Sequence, residues 1–145
     1  MNFKLTSTIA RPRQHVYELL ANPNDWKQWL PQIVGYEPLA GMAGTPGATA
    51  RLTFDSAGRT FGFIETIIDR KPPNLLASTY EYETVIYSLF HQLESVSEAE
   101  TRWICEFSSD VQRGGWLVNW LMSRAVRAGG AKAMAKFKAK AEGRS

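Results

Sequence analysis

The chain has 145 residues, 44% of them hydrophobic and 21% charged, and a net charge of +3; that is the size and balance of one globular domain with a real core, and it excludes a disordered polymer. The lone cysteine, Cys105, excludes an internal disulfide, a CxxC redox pair and a thiolate zinc site. No run approaches the ~18 apolar residues of a membrane span, and the opening MNFKLTSTIARPR holds no continuous apolar stretch and reads as no signal peptide, so a soluble, cytoplasmic chain forming a single domain over residues 1–145 is expected.

From Asn2 to Ile9 the residues alternate, with Phe3, Leu5, Ser7 and Ile9 on one side, which is the period-2 signature of a half-buried strand. Pro12 suits the first turn of a helix, and Val16, Leu19 and Leu20 follow at helical spacing. Asn22-Pro23 reads as the cap and first residue of a second short helix carrying Trp26 and Trp29 on one face, stopped by Pro31. A short strand at residues 33–36 is expected to lead into a loop, punctuated by Gly35, Pro38, Gly41, Gly44, Pro46 and Gly47. Further strands are read from the faces Ala50/Leu52/Phe54, Phe61/Phe63/Glu65/Ile67, Leu76/Ser78/Tyr80/Tyr82, Tyr87/Leu89/His91/Leu93 and Trp103/Cys105/Phe107. Turns at residues 56–58, 71–74 and 97–100 fill three of the four gaps between them. Residues 116–142 read as one long helix whose stripe Asn119, Met122, Val126, Gly130, Ala133, Met134 and Phe137 faces the sheet. Gly129-Gly130 in its middle points to close approach to a strand or ligand, or to a bend, or is a merely tolerated glycine pair. The sum is an α+β domain: a curved antiparallel sheet of about seven strands around a long C-terminal helix, with two short helices after the first strand.

Charge divides the chain. Seven Lys and Arg against one Glu lie from residue 124 onward, so the tail carries +6 and the first 123 residues −3. A solvated helix face is the plain reading. No stacking aromatics alternate with these basic residues as in single-strand binders, and no nucleic-acid partner is expected. The segment from Trp116 to Leu121 is apolar nearly all round, so a loop, a transient protein partner or a membrane surface should cover it beside the basic helix.

At Ile9-Ala10-Arg11-Pro12 with Val16-Tyr17 and Leu20, Asn22-Pro23-Asn24-Asp25-Trp26 with Trp29 and Pro31, Gly47, Glu65 with Ile67, Pro72-Pro73 and Thr101-Arg102, the sequence resembles the START-like, helix-grip (SRPBCC) superfamily. Within it, the polyketide cyclase/dehydrase and lipid-transport branch is the most similar. The likeness spans essentially the whole chain and rests on marks of the fold. It implies a deep apolar cavity for a lipid, sterol, polyketide or aromatic compound. Some relatives cyclise or dehydrate polyketides and many only carry or sense ligands, and no universal catalytic residue comes with the resemblance. The stretch 115–130 departs from the more Arg/Leu-rich helices of such relatives.

Chemistry-bearing residues are few. Glu65, on an apolar face, would have a raised pKa and could act as a general acid or base, unless a register slip turns it to solvent. His91, with Tyr87, Leu89 and Leu93, could bond a ligand as neutral imidazole or be satisfied by a core neighbour. Tyr80 and Tyr82 offer two phenols or plain packing. His15 reads as a surface histidine and Cys105 as a small buried hydrophobe. Trp26 and Trp29 read as packing for the short helix or as a cavity mouth. No nucleophile-elbow, zinc-protease or phosphate-loop motif occurs, and no metal or cofactor is expected. The leading function is the binding or carrying of a hydrophobic small molecule, lined by Leu52, Phe54, Phe63, Tyr80, Tyr82, His91, Trp103, Met122, Val126 and Met134, in a cavity of at least about 300 Å³. The alternatives are a cyclase/dehydratase-type enzyme using Glu65 or His91, and a protein that docks a partner or membrane.

Overall fold

A computed structural model describes residues 1–109 and 115–144, apart from the side chains at 115, 116, 118, 119 and 122. In chain order the elements are β1 (Asn2–Ile9), α1 (Arg13–Ala21), a 3₁₀ helix (Pro23–Gln28), β2 (Ile33–Ala40), β3 (Thr49–Ser56), β4 (Arg59–Lys71), β5 (Leu75–Tyr82), β6 (Val85–Ser97), β7 (Glu100–Ser109) and α2 (Gly115–Ala141). The strands form one antiparallel sheet in the order β1-β7-β6-β5-β4-β3-β2. The alternation read in the sequence is the alternation of burial: Ile9, Ala50, Leu52, Ile67, Leu76, Leu93 and Trp103 are buried on one face. Against that face packs the C-terminal half of α2 through Met134, Phe137 and Ala141. The 3₁₀ helix adds Trp26, and its C-terminal cap adds Trp29, three residues on and thus on the same side.

The expected loop from Gly35 begins later than its glycines and prolines suggest. β2 runs on to Ala40, paired with β3 through two irregularities, after Ile33 and after Pro38. Pro38 is tolerated because β2 is an edge strand and one of its sides needs no ladder bonds. The β3–β4 hairpin closes through Ala57 and Gly58, both left-handed (φ 52° and 78°), the two-residue turn that matches strand twist. β4, read only over residues 61–67, spans Arg59–Lys71, and a bulge between Ile67 and Asp69 resets its alternation. Straight alternation would point Arg70 outward; after the bulge it pairs with the buried Leu76 and faces inward.

The residues at Ile9–Pro12 and at Thr101 form the joint between sheet and helix. The Ala10 N–H donates to Glu142 Oε2 at 2.7 Å and Arg11 Nη2 to the Glu142 carbonyl at 2.6 Å, while the buried Thr101 hydroxyl donates to the Arg11 carbonyl at 2.8 Å. A guanidinium on the carbonyl just past the end of α2 is the favoured charge at a helix C-terminus.

The glycine pair in α2 divides. A Cβ on Gly130 would lie 3.0 Å from Leu5 Cδ1, so this glycine answers close approach to β1; a Cβ on Gly129 would meet nothing within 4 Å. Gly129→Ala is therefore expected to stabilise by about 1 kcal/mol, the helix-propensity difference, and to raise Tm by about 2–4 °C. Gly130→Ala should gain less, because Leu5 must move. Thermal unfolding of the two variants checks this, and an equal or reversed gain would refute it.

Candidate functional site

Strand register assembles a polar row on the inner face. Ala50, Glu65, Tyr80, Tyr87 and Ser109 stand directly opposite one another across β3, β4, β5, β6 and β7, at cross-strand spacings of about 5 Å. A carboxyl, two phenols and a hydroxyl thus cross a face that is otherwise apolar. On one flank Phe54, Phe63, Tyr82 and Phe61 form a chain of rings with centroids 5.3–5.8 Å apart. On the other lie Ile67, Ser78, Leu89 and Phe107, in register with Phe3, whose ring stacks on Phe107 at 4.9 Å.

Glu65 is the chemical centre of the row. It is 2% exposed, and its Oε2 has no hydrogen-bond partner. Burial pushes its carboxyl above the usual carboxylate range, while the Tyr80 phenol and the Arg70 guanidinium pull it partly back. Burial first, and then the charge on Glu65, in turn hold Tyr80 well above the ordinary phenol value. Glu65 also lines a cleft of about 370 Å³ that opens between the 3₁₀ helix and the β2–β3 connection; Asn22, Trp26, Tyr36, Ile67 and Arg70 are among its walls. The walls are set locally: the Asn22 side chain caps the 3₁₀ helix by accepting from the Asn24 N–H at 3.0 Å, and Trp26 Nε1 donates to the Leu20 carbonyl at 2.8 Å. Tyr36 meets the Trp26 ring edge-on, at 5.6 Å.

Arg70 stands in no ion pair among the described residues; its Nη1 reaches only the neighbouring Asp69 carbonyl, at 3.4 Å. Its charge is felt by Tyr17, Tyr36, Glu65, Tyr80 and His91, on five different elements. The residues lining the cleft therefore include an unmet carboxyl oxygen, an unbridged guanidinium and a phenol, a set able to bind a ligand's polar end or to move a proton and steady an oxyanion.

His91 belongs to a different cluster. Trp103 Nε1 donates to its Nδ1 at 3.1 Å. An indole nitrogen can only donate, so Nδ1 is bare and the ring is the neutral Nε2–H tautomer. Burial and Arg70 hold its pKa down at about 4. Trp103 packs in turn on Phe137, and Phe137 on Trp29. Cys105, opposite His91, has its thiol pushed up to about 12 by burial, which suits a packing residue and not a nucleophile.

Of the ten residues read as ligand-lining, Leu52, Trp103 and Met134 are buried in the core, and Phe54 and Tyr80 pack against it. Phe63, Tyr82, His91 and Val126 are half-buried, and the Met122 side chain lies outside the described residues. None of the ten lines the cleft at Glu65; Glu65, read as a catalytic candidate, does. Tyr36 and Arg70 were not singled out by sequence. Tyr36 fell at the border of an expected loop, and Arg70 depends on the bulge. The one available signal was Ile67-Ile68-Asp69-Arg70, where alternation breaks. Among the described residues no group of three His, Cys, Asp or Glu could hold a metal ion.

The chain matches, over residues 1–142, the family described as polyketide cyclase / dehydrase and lipid transport, and belongs to it. Among solved structures it superposes on the Zhui aromatase/cyclase of Streptomyces sp. R1128 with a TM-score of 0.78 at 18% identity, covering 98% of this chain and 93% of that one. A START superfamily protein of Mycobacterium smegmatis gives 0.75 at 14% identity, with 97% of each chain covered. The di-domain ARO/CYC BexL of the BE-7585A biosynthetic pathway gives 0.79 at 19%, covering 95% of this chain and 45% of that one. At such identities the likeness is one of fold, the helix-grip fold. No curated protein matches the chain.

Proposed function

We propose that this member of the polyketide cyclase / dehydrase and lipid transport family acts over its whole length as one binding domain for a hydrophobic small molecule, a lipid, polyketide or aromatic compound, held inside the grip with its polar end at Glu65. The observation that carries the reading is Glu65 Oε2, buried without a hydrogen-bond partner on the wall of a cleft of about 370 Å³. Such an unmet oxygen costs on the order of 1–3 kcal/mol, and a ligand group that bonds to it removes that cost. The ionised carboxylate accepts from a hydroxyl; the protonated acid, which burial favours, donates to a carbonyl. Trp26, Tyr36 and Ile67 on the walls of the same cleft supply apolar surface for the rest of the molecule.

Calorimetric titration with 2-naphthol and with naphthalene tests the reading. The hydroxyl is expected to tighten binding about tenfold, equivalent to about 1.4 kcal/mol. Glu65→Leu should abolish that preference while keeping naphthalene binding. If neither compound binds, or if the preference survives in the variant, the reading fails.

A cyclase/dehydratase-type enzyme is the second reading, favoured by the meeting of Glu65, Tyr36 and Arg70 on one cleft with Tyr80 opposite Glu65. There Glu65 moves a proton, and the phenols and guanidinium steady an enolate. Loss of water from a poly-β-keto thioester, at least tenfold slower with Glu65→Gln, decides for the enzyme; an unchanged thioester decides for the carrier.

A further inference from the structure

The outer side of α2 begins apolar and turns cationic. Leu117, Trp120 and Leu121 are 50%, 53% and 52% exposed, and their spacing puts them on one side of the helix. One turn further Arg124 continues that side, its guanidinium 5.4 Å from the centre of the Trp120 ring. Arg127, Lys132 and Lys136 follow, all exposed. Arg127 also lies over the Phe3 ring at 5.6 Å, which ties this part of α2 to β1. No Asp or Glu occurs between residues 111 and 141. Three adjacent large apolar side chains at the end of a cationic face form a patch, not scattered surface residues.

The geometry points to an anionic bilayer surface as the partner of this face: Leu117, Trp120 and Leu121 enter the boundary between headgroups and acyl chains, and Arg124, Arg127 and Lys132 take lipid phosphates. Tryptophan and leucine at the tip with arginine and lysine just behind is the chemistry that such an interface selects. A second copy of the chain fits poorly, because two faces of the same charge repel. A nucleic acid would use the cations and leave the leucines uncovered. No helix among the described residues is long and apolar enough to cross a membrane, so the contact is peripheral. It uses only the outer side of α2 and stands whether or not Glu65 binds a ligand.

The test is co-sedimentation of the whole chain with vesicles of phosphatidylcholine alone and of phosphatidylcholine with 30% phosphatidylglycerol, on the order of 0.1 M salt, where charges are screened beyond about 10 Å. Binding at least tenfold tighter to the anionic vesicles is expected, since each basic residue near such a surface contributes roughly fivefold. Arg124→Gln with Lys132→Gln should lower it tenfold or more. Trp120→Ala should weaken it severalfold and remove the part of the tryptophan quenching that bromine-labelled acyl chains cause; far-UV circular dichroism confirms that both variants are folded. Equal binding to the two vesicles, or variants that bind like the parent, would overturn the proposal. Binding to polyglutamate as tight as to vesicles, and indifferent to Trp120→Ala, would overturn it in favour of an acidic protein partner.

Discussion

Phe137→Ala is expected to cost about 3–5 kcal/mol, the range for emptying a buried aromatic site. Phe137 is 0% exposed. Its ring lies 5.1 Å from Trp29, edge to face, and 4.7 Å from Trp103, so one side chain joins the C-terminal cap of the 3₁₀ helix, β7 and α2. Met134 and Ala141 share its side of α2 and hold their own places in the core, which leaves nothing on the helix to fill the void. Against a native stability of about 5–15 kcal/mol the loss is large enough to lower the urea midpoint strongly. Two tryptophans border the cavity, so emission should shift to the red in the folded state as well. Phe137→Leu, which keeps more of the volume, should cost about half as much or less. A loss below about 1 kcal/mol in the alanine variant, on the scale of an ordinary surface substitution, would mean that the C-terminal half of α2 does not grip the sheet.

The second large effect is acid sensitivity from His91. Its pKa is about 4 in the fold against 6.5 unfolded, so between these values the unfolded chain binds more protons and stability falls as pH falls. Protonating Nδ1 also removes the acceptor that Trp103 Nε1 uses. The groups that bear on His91 do not relieve this: Arg70 opposes the charge, and Cys105 opposite is a neutral thiol. The expected loss from His91 is about 2 kcal/mol between pH 8 and pH 5, approaching about 3 kcal/mol near pH 4. His91→Gln offers Trp103 an amide oxygen and does not titrate, so the difference between the urea unfolding curves of parent and variant should grow by that amount as pH falls. Glu65 works in the opposite sense: its raised pKa makes stability greater at low pH and lost as pH rises through the folded value. It is common to both proteins and cancels from the difference. A His91 ring that titrates near 6.5 by NMR would sink this prediction.

Much of the architecture was legible in the residues. Strict alternation over residues 2–9, 50–54, 61–67, 76–82, 87–93 and 103–107 set which side chains face inward, because a pleated strand has a period of two and cannot hide that pattern. The helical stripe through Val126, Met134 and Phe137 was legible for the same kind of reason. Glu65 was placed inward by its apolar neighbours alone, and the exposed apolar start of α2 was legible as a face the sheet does not cover. The sequence by itself therefore determined the element order, the buried faces and the helix-grip class.

Only the tertiary structure decided what meets what across the inner face. The row Glu65–Tyr80–Tyr87–Ser109 exists because the hairpin lengths bring those positions opposite one another, and pairing register is a property of neighbouring strands, not of any one strand. Arg70 faces inward because one bulge inserts an extra residue into β4 where it pairs with β5. β2 persists through Pro38 because it lies on the edge of the sheet, a position that no local pattern states. Gly129 and Gly130 look alike in the chain, and only the approach of Leu5 separates them. Local periodicity is written residue by residue, whereas register, bulges and close approaches are settled when separate segments pack and satisfy their hydrogen bonds together.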